Sequence, residues 1–178
     1  MADEHISLDK LDLRLLRALG DHPRAGHLEL SRLTGTSRMT VQARLERLER
    51  AGVIRGHGPY IDLPAAGFPV LAFVTVQIAQ GALDEVAEGL RGIPAVLEAH
   101  ATTGGDDLHL RVAAASHEDL QRALLRLNRL PSVVRSTSVI ALAEVVGART
   151  LPLLESVERP APARVPSYRV TPKDDRPR

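Results

Sequence analysis

Three polar side chains near the start of one amphipathic segment are of the kinds that read DNA. Arg38, Thr40 and Gln42 come just after Ser37. Arginine suits the acceptor edge of guanine, glutamine that of adenine, and the threonine methyl packs on thymine. Further along, Arg44 and Arg47 are placed to neutralise phosphates, the sequence-independent part of affinity. Between Ser31 and Tyr60 six arginines face two glutamates, a local charge of +4 in a chain whose net charge is +1. The first thirty residues are net acidic, so the positive charge is confined to one stretch.

Such side chains work only if a helix presents them and a second helix holds its back. Val41, Leu45 and Leu48 recur at helical spacing and supply that back face over a helix from Arg38 to Ala51. Ser37 is its expected N-cap and Gly52 its stop. Upstream, Leu8, Leu11, Leu15, Leu16 and Leu19 predict a helix from Leu8 to Gly20 with Ser7 as cap, and Leu28, Leu30 and Leu33 predict another from His27 to Leu33, ended by Gly35. Val53 to Asp62 carries two β-favouring pieces around Gly56, Gly58 and Pro59 and reads as a small hairpin, the wing of a winged helix-turn-helix.

Beyond a short linker the periodicity changes to that of strands. Val70–Ile78, Val96–Thr103, Leu108–Val112 and Val133–Val146 are expected strands; Leu83–Leu90 and a helix from Ser116 to Leu130 separate them. The order β-α-β-β-α-β is that of a ferredoxin-like sandwich. The fold class is therefore α+β, with expected boundaries at 1–62 for the DNA-binding domain, 63–69 for the linker, 70–147 for the sandwich and 148–178 for a disordered, proline-rich tail. One face of such a sheet is left open, showing Val74, Val76, Leu110 and Val139 or their alternates.

The turn Thr103-Gly104-Gly105-Asp106-Asp107 admits two readings. Glycines let a ligand approach backbone N–H groups and Asp107 suits an ammonium, while the same residues also make a plain tight hairpin. The seven histidines show no ligand spacing, and no cysteine is present, so no metal or cofactor is expected. No Gly-x-Ser-x-Gly, P-loop or dinucleotide fingerprint occurs, and no catalytic residue is assigned. The acidic start Met1–Lys10 lacks the apolar stretch of a signal peptide, and no run approaches the roughly 20 apolar residues of a membrane helix, so a cytoplasmic protein off the membrane is expected.

Leu8-Asp9-Lys10-Leu11-Asp12, then Leu15-Leu16, Leu30, Ser37, Val41, Arg44-Leu45, Leu48-Glu49 and Gly52-Val53-Ile54 resemble the N-terminal domain of Lrp/AsnC-type regulators, the feast/famine family. Thr103 to Asp107 and the closing strand from Ser136 to Leu142 resemble its effector-binding domain. The resemblance spans roughly residues 7 to 147 and implies a transcriptional regulator of double-stranded DNA. It further implies a homodimer that extends to tetramers or octamers, and an amino-acid effector held at Thr103, Gly104, Gly105, Asp107, Ser136 and Ser138. Gly105 and Asp106 depart from the larger polar residue and the aromatic usual there, and Ser138 replaces the usual threonine. Two other readings are an architectural DNA-binding protein without effector, and an enzyme similar to sirohaem decarboxylases, for which His100 and His109 lie on neighbouring predicted strands.

Overall fold

The computed structural model describes residues 6–162. They form two units: the first runs to Gly58 and resumes at Ala148, and the second is Pro59–Gly147.

The first unit is a trihelical core with a C-terminal strap. Helix α1 (Lys10–Asp21) begins at Asp9, not at Ser7. Asp9 Oδ1 accepts from the N–H groups of Leu11 and Asp12 at 2.8 and 3.0 Å, and Asp12 Oδ2 accepts from the Asp9 N–H at 2.9 Å. This reciprocal box satisfies several helix-end donors at once, which a serine two residues earlier cannot do. Helix α2 (His27–Thr34) ends at Gly35, whose φ of 65° is one that side-chain-bearing residues seldom adopt. Ser37 then caps α3 (Arg38–Arg50) through the Thr40 N–H at 3.1 Å. Leu11, Leu15, Ala18, Leu30, Val41 and Leu45 make the shared core, so the expected back face of α3 is the buried one.

The expected wing hairpin is absent. Residues 51–62 contain no strand; after α3 the N–H groups of Val53 and Ile54 both turn back to the Leu48 carbonyl. Gly56, Gly58 and Pro59 interrupt the segment, and a two-stranded ribbon with nothing packed on it has little to hold it.

The expectation of disorder from residue 148 also fails in part. Helix α6 (Leu151–Glu155) forms with proline in its first turn, where a missing N–H costs nothing. The proline content of this segment masks its apolar Leu151 and Leu154, which are half-buried. The rest of that expected tail, residues 163–178, lies outside the described residues.

The second unit is the ferredoxin-like sandwich. Its elements are β1 (Val70–Ile78), α4 (Leu83–Arg91), β2 (Val96–Ala101), β3 (Leu108–Ala114), α5 (His117–Asn128) and β4 (Val133–Ile140), with antiparallel sheet order β2-β3-β1-β4. Ala72, Val74 and Val76 of β1 and Leu108, Leu110 and Val112 of β3 are buried together with Val86 and Leu90 of α4 and Leu120 and Leu127 of α5. Val74, Val76 and Leu110 thus lie on the helix-covered face, not the open one. The open face carries their alternates and Val139. One row across it is Glu98, Arg111, Phe73 and Val139; the next is His100, His109, Thr75 and Thr137. Strand β4 stops at Ile140 instead of running to Val146, because the Ala141 N–H makes the closing bond to the Leu71 carbonyl, near the start of β1. Strand β2 ends at Ala101, since the Thr102 N–H bonds the Asp107 carbonyl and closes the turn.

Candidate functional site

Helix α3 presents its N-terminal turn to solvent. Arg38 is exposed, and Met39 beside it is 72% exposed. Ser37 Oγ and Thr40 Oγ1 lie 2.8 Å apart, and Gln42 Nε2 donates to Glu46 Oε1 at 2.9 Å. The three residues expected to read bases therefore share the capped end of one helix, with hydroxyl and amide groups held by neighbours on that same helix.

Arg44 and Arg47 are placed otherwise than the sequence suggests. Arg44 Nη1 donates to Asp9 Oδ2 at 2.5 Å and to Asp12 Oδ1 at 3.0 Å; Arg47 Nη2 donates to Asp12 Oδ2 at 2.5 Å. Asp12 has no exposed side-chain surface. The two guanidinium groups thus lock α3 onto the capping box of α1. Burial pushes the Asp9 carboxyl up, but the Arg44 hydrogen bond and charge and the Asp12 and Leu11 N–H groups outweigh it and hold the carboxyl below its ordinary value. Burial likewise opposes the Arg44 charge, and the bonds to Asp9 and Asp12 hold it above its usual value.

With those two arginines engaged, the positive surface of this unit comes from others. Arg32, Arg38, Arg50 and Arg55 are exposed and form no ion pair among the described residues. Arg14 of α1 lines a shallow concavity with Gly35, Ser37, Thr40 and Arg44, at the turn between α2 and α3. Arg14 and Met39 were not singled out from sequence. Their signal was positional: Met39 sits between two polar residues and off the Val41–Leu45–Leu48 stripe, and Arg14 lies on the polar face of α1.

In the second unit the β2–β3 turn lies at the end of the sheet where β1 finishes and β4 begins. Asp107 Oδ2 accepts from the Ile78 N–H at 2.8 Å, at the irregularity between Gln77 and Ile78. Gln77 Nε2 donates to the Gly105 carbonyl at 2.8 Å, and Gly104 has a φ of 127°. Thr103, Gly104 and Gly105 are exposed. Ser136 pairs in register with Val76 and donates to Asn128 Oδ1 of α5 at 2.7 Å. Ser138 pairs with Val74 on the same helix-covered side of β4. The turn and Ser136 therefore occupy one end of the sheet, with Ser138 one step farther along.

His100 and His109 are register partners across β2 and β3, both exposed on the open face. Among the described residues no group of three or more His, Cys, Asp or Glu side chains is placed to hold a metal ion, and no helix is long and apolar enough to cross a membrane.

Two family descriptions match the chain, one for each unit. Residues 8–55 match "Winged helix-turn-helix DNA-binding", and residues 71–151 match "Lrp/AsnC ligand binding domain". The chain is 30% identical over 137 residues to the HTH-type transcriptional regulator FL11 of Pyrococcus horikoshii, covering 77% of this chain and 91% of that one. This chain belongs to the Lrp/AsnC family of transcriptional regulators. The regulator is also 33% identical over 140 residues to AldR of Mycolicibacterium smegmatis, covering 77% of this chain and 82% of that one. Among solved structures it is similar to a transcriptional regulator of Neisseria meningitidis in complex with L-Met, with a TM-score of 0.77, 27% identity and coverage of 85% and 100%. It is likewise similar to AsnC of E. coli, with a TM-score of 0.75, 25% identity and coverage of 83% and 100%. As a family member it is a helix-turn-helix transcriptional regulator with a ligand-binding domain.

Proposed function

We propose that this regulator reads its DNA site with Arg38, Thr40 and Gln42, assembles through the open sheet face, and answers to an amino acid at the Thr103–Asp107 turn. The observation that carries the reading is the exposed, Ser37-capped start of α3, held rigidly from behind by Asp9 and Asp12. A helix so held places its first-turn side chains in a major groove with little freedom left to lose. Ser37 and the α3 N-terminus suit a phosphate, while Arg44 and Arg47 act chiefly as the brace. A DNA regulator of this kind works in the cytoplasm.

Assembly is a consequence of the open face. Phe73 is 50% exposed and Val139 63% exposed, side by side in register, and a second copy of the same face covers them in a twofold dimer. Such a dimer suits a near-palindromic site. The ligand reading rests on the likeness to the N. meningitidis regulator bound to L-Met and on Asp107. Its Oδ2 is used by Ile78, and Oδ1 has no partner among the described residues. That oxygen suits an α-ammonium, and the exposed glycine N–H groups suit the carboxylate.

The test is mapping of bound sites across a genome, then gel shifts on a recovered site with each of the twenty amino acids. Discrete palindromic sites and a shift in affinity with one amino acid class are expected. Long, sequence-indifferent footprints and no response to any amino acid would replace this reading with an architectural one.

A further inference from the structure

The strap of the first unit runs along α1 against its direction. Near the end of α1, Leu151 Cδ1 lies 3.3 Å from where a Cβ on Gly20 would stand. One turn earlier, Arg17 holds Glu155 Oε1 through Nη2 at 2.5 Å and Nε at 2.8 Å. At the start of α1 the Lys10 N–H donates to the Pro160 carbonyl at 3.0 Å. A helix leaves its first four N–H groups without partners of its own. In α1 three of them are met by its own side chains: those of Leu11 and Asp12 by Asp9 Oδ1, and that of Asp9 by Asp12 Oδ2. The fourth, Lys10, is met by the strap. Proline suits that place, since it offers a carbonyl and brings no N–H of its own to a helix end already crowded with donors. It also holds Arg159 before it to extended backbone, the shape a strap laid along a helix needs.

The two carboxylates of that cap also aim α3. Asp9 Oδ2 and Asp12 Oδ1 take Arg44, and Asp12 Oδ2 takes Arg47. Lys10 lies between Asp9 and Asp12 in the chain, so the strap fastens the backbone from which both carboxylates project. Two residues past Pro160, Pro162 lines the concavity of Arg14, Ser37, Thr40 and Arg44 at the α2–α3 turn. Strap, cap and the start of the recognition helix thus form one connected set. Base contacts tolerate displacement of only about 0.5 Å, whereas phosphate contacts set position and carry no sequence information. A shift of the first turn of α1 therefore reaches sequence reading before it reaches overall affinity.

We propose that the strap is a positioning element for DNA reading: the Pro160 carbonyl, kept in place by the Glu155–Arg17 pair, fixes the cap whose carboxylates aim α3, and so sets how sharply the regulator tells its site from other DNA. Pro160 and Glu155 act through α1 and touch no base. The proposal rests on the DNA-binding reading of α3.

The test uses the full chain and two duplexes, one carrying a mapped site and one random, well below the melting temperature of every variant. Lys10→Pro removes the N–H that Pro160 accepts. It does so at the first helical position, where proline is tolerated, and Asp9 before it is already extended, with φ −106° and ψ 178°. Lys10→Ala is its reference, because it removes the same side-chain charge and keeps the N–H. Glu155→Arg sets like charges against Arg17, and adding Arg17→Glu restores the pair in reverse. The quantity read is the ratio of affinities for site over random DNA, in which any general change of charge cancels. Lys10→Pro against Lys10→Ala, and Glu155→Arg against wild type, are each expected to lower that ratio by about fivefold, the low end of what one base contact carries. The reversed pair should recover it. A strap that only stabilises would lower the melting temperature of Lys10→Pro and Glu155→Arg and leave the ratio where it was, and that result overturns the proposal. A wild type that does not distinguish the two duplexes overturns the reading of α3 itself.

Discussion

The fully buried carboxylate of Asp12 holds the guanidinium of Arg47 at 2.5 Å, across the seam between α1 and α3. Its other oxygen takes Arg44 at 3.0 Å. A charge pattern that points outward in the sequence is thus partly turned inward, and the recognition helix is fastened by the residues that cap its neighbour. Removing Asp12 leaves two arginines at the seam with one carboxylate between them. Asp12→Ala is expected to destabilise the first unit by about 3 kcal/mol, the low end for breaking a buried ion pair because Arg47 is partly solvated. Chemical denaturation measures it; a loss under about 1 kcal/mol would mean the pairing is incidental.

Arg38 and Met39 make the contrasting case. Both are exposed and hold up nothing, so their replacement should leave stability within about 0.5 kcal/mol. Arg38→Ala is expected to cost about 1–3 kcal/mol on the correct site and relax preference at one base pair. Met39→Ala is expected to relax sequence preference less than Arg38→Ala, since its thioether offers apolar contact but no hydrogen-bond donor. Selection from random duplexes, read with each variant, decides whether these residues specify sequence.

The order of elements was legible because it rests on periodicity. The Val41–Leu45–Leu48 stripe and the Val74–Val76 alternation each name a face. The features that escaped sequence reasoning needed long-range partners. Asp9 and Asp12 read as ordinary first-turn acids; only folding brings them to Arg44 and Arg47, thirty-odd residues away. The side of the sheet taken by Val74 depends on where α4 and α5 pack, which alternation alone does not state. The strap was hidden for a related reason, since Leu151 and Pro160 gain their meaning only against Gly20 and Lys10. Of the Thr103–Asp107 segment, the turn was legible and the bond from Ile78 to Asp107 was not.

Assembly through the open face predicts a clean loss of the dimer. In a twofold interface each substitution acts in both copies. Burying the exposed part of Phe73 is worth about 1.5–3 kcal/mol per copy, so Phe73→Lys should raise the dimer dissociation constant by about a hundredfold or more. Phe73 faces away from the helix-packed core, so circular dichroism should be unchanged. Light scattering reads the mass; a variant that stays dimeric at micromolar concentration would place the interface elsewhere.

Asp9 makes the first unit sensitive to acid in a definite direction. Its folded carboxyl titrates below the ordinary aspartate value, so the unfolded chain binds the proton first as pH falls. The stabilisation is complete above about pH 4 and is lost as pH drops through the lower folded value. Asn also caps helices well, so Asp9→Asn isolates the charge from the cap. The variant should be less stable than wild type at neutral pH, with the gap closing as pH falls below about 4. A gap that stays constant across that window would show that the Arg44 pairing contributes nothing.

Asp107 has two tasks, and one substitution separates them. Oδ2 accepts the Ile78 N–H and secures the irregular end of β1. Oδ1 is the group proposed for an amino-acid ammonium. Asp107→Ala removes both, so any loss of ligand binding would be confounded with a loosened turn. Asp107→Asn keeps a carbonyl oxygen for Ile78 and removes the charge. Hydrogen bonds to charged groups are worth about 1.5–3 kcal/mol, so the Asn variant should bind its amino acid roughly tenfold to a hundredfold more weakly. Its melting temperature should fall much less than that of Asp107→Ala, because the Ile78 N–H keeps an acceptor. Ligand and DNA are coupled only through their differential affinity for two arrangements of the assembly, typically about 1–3 kcal/mol. The wild type should therefore show a DNA affinity shifted about 5- to 150-fold by the amino acid, and the variant should recover that shift at proportionally higher ligand concentration. Calorimetry and gel shifts on the same samples read both. Equal ligand affinity in wild type and Asp107→Asn would remove Asp107 from the site and leave it as the fastening of the turn.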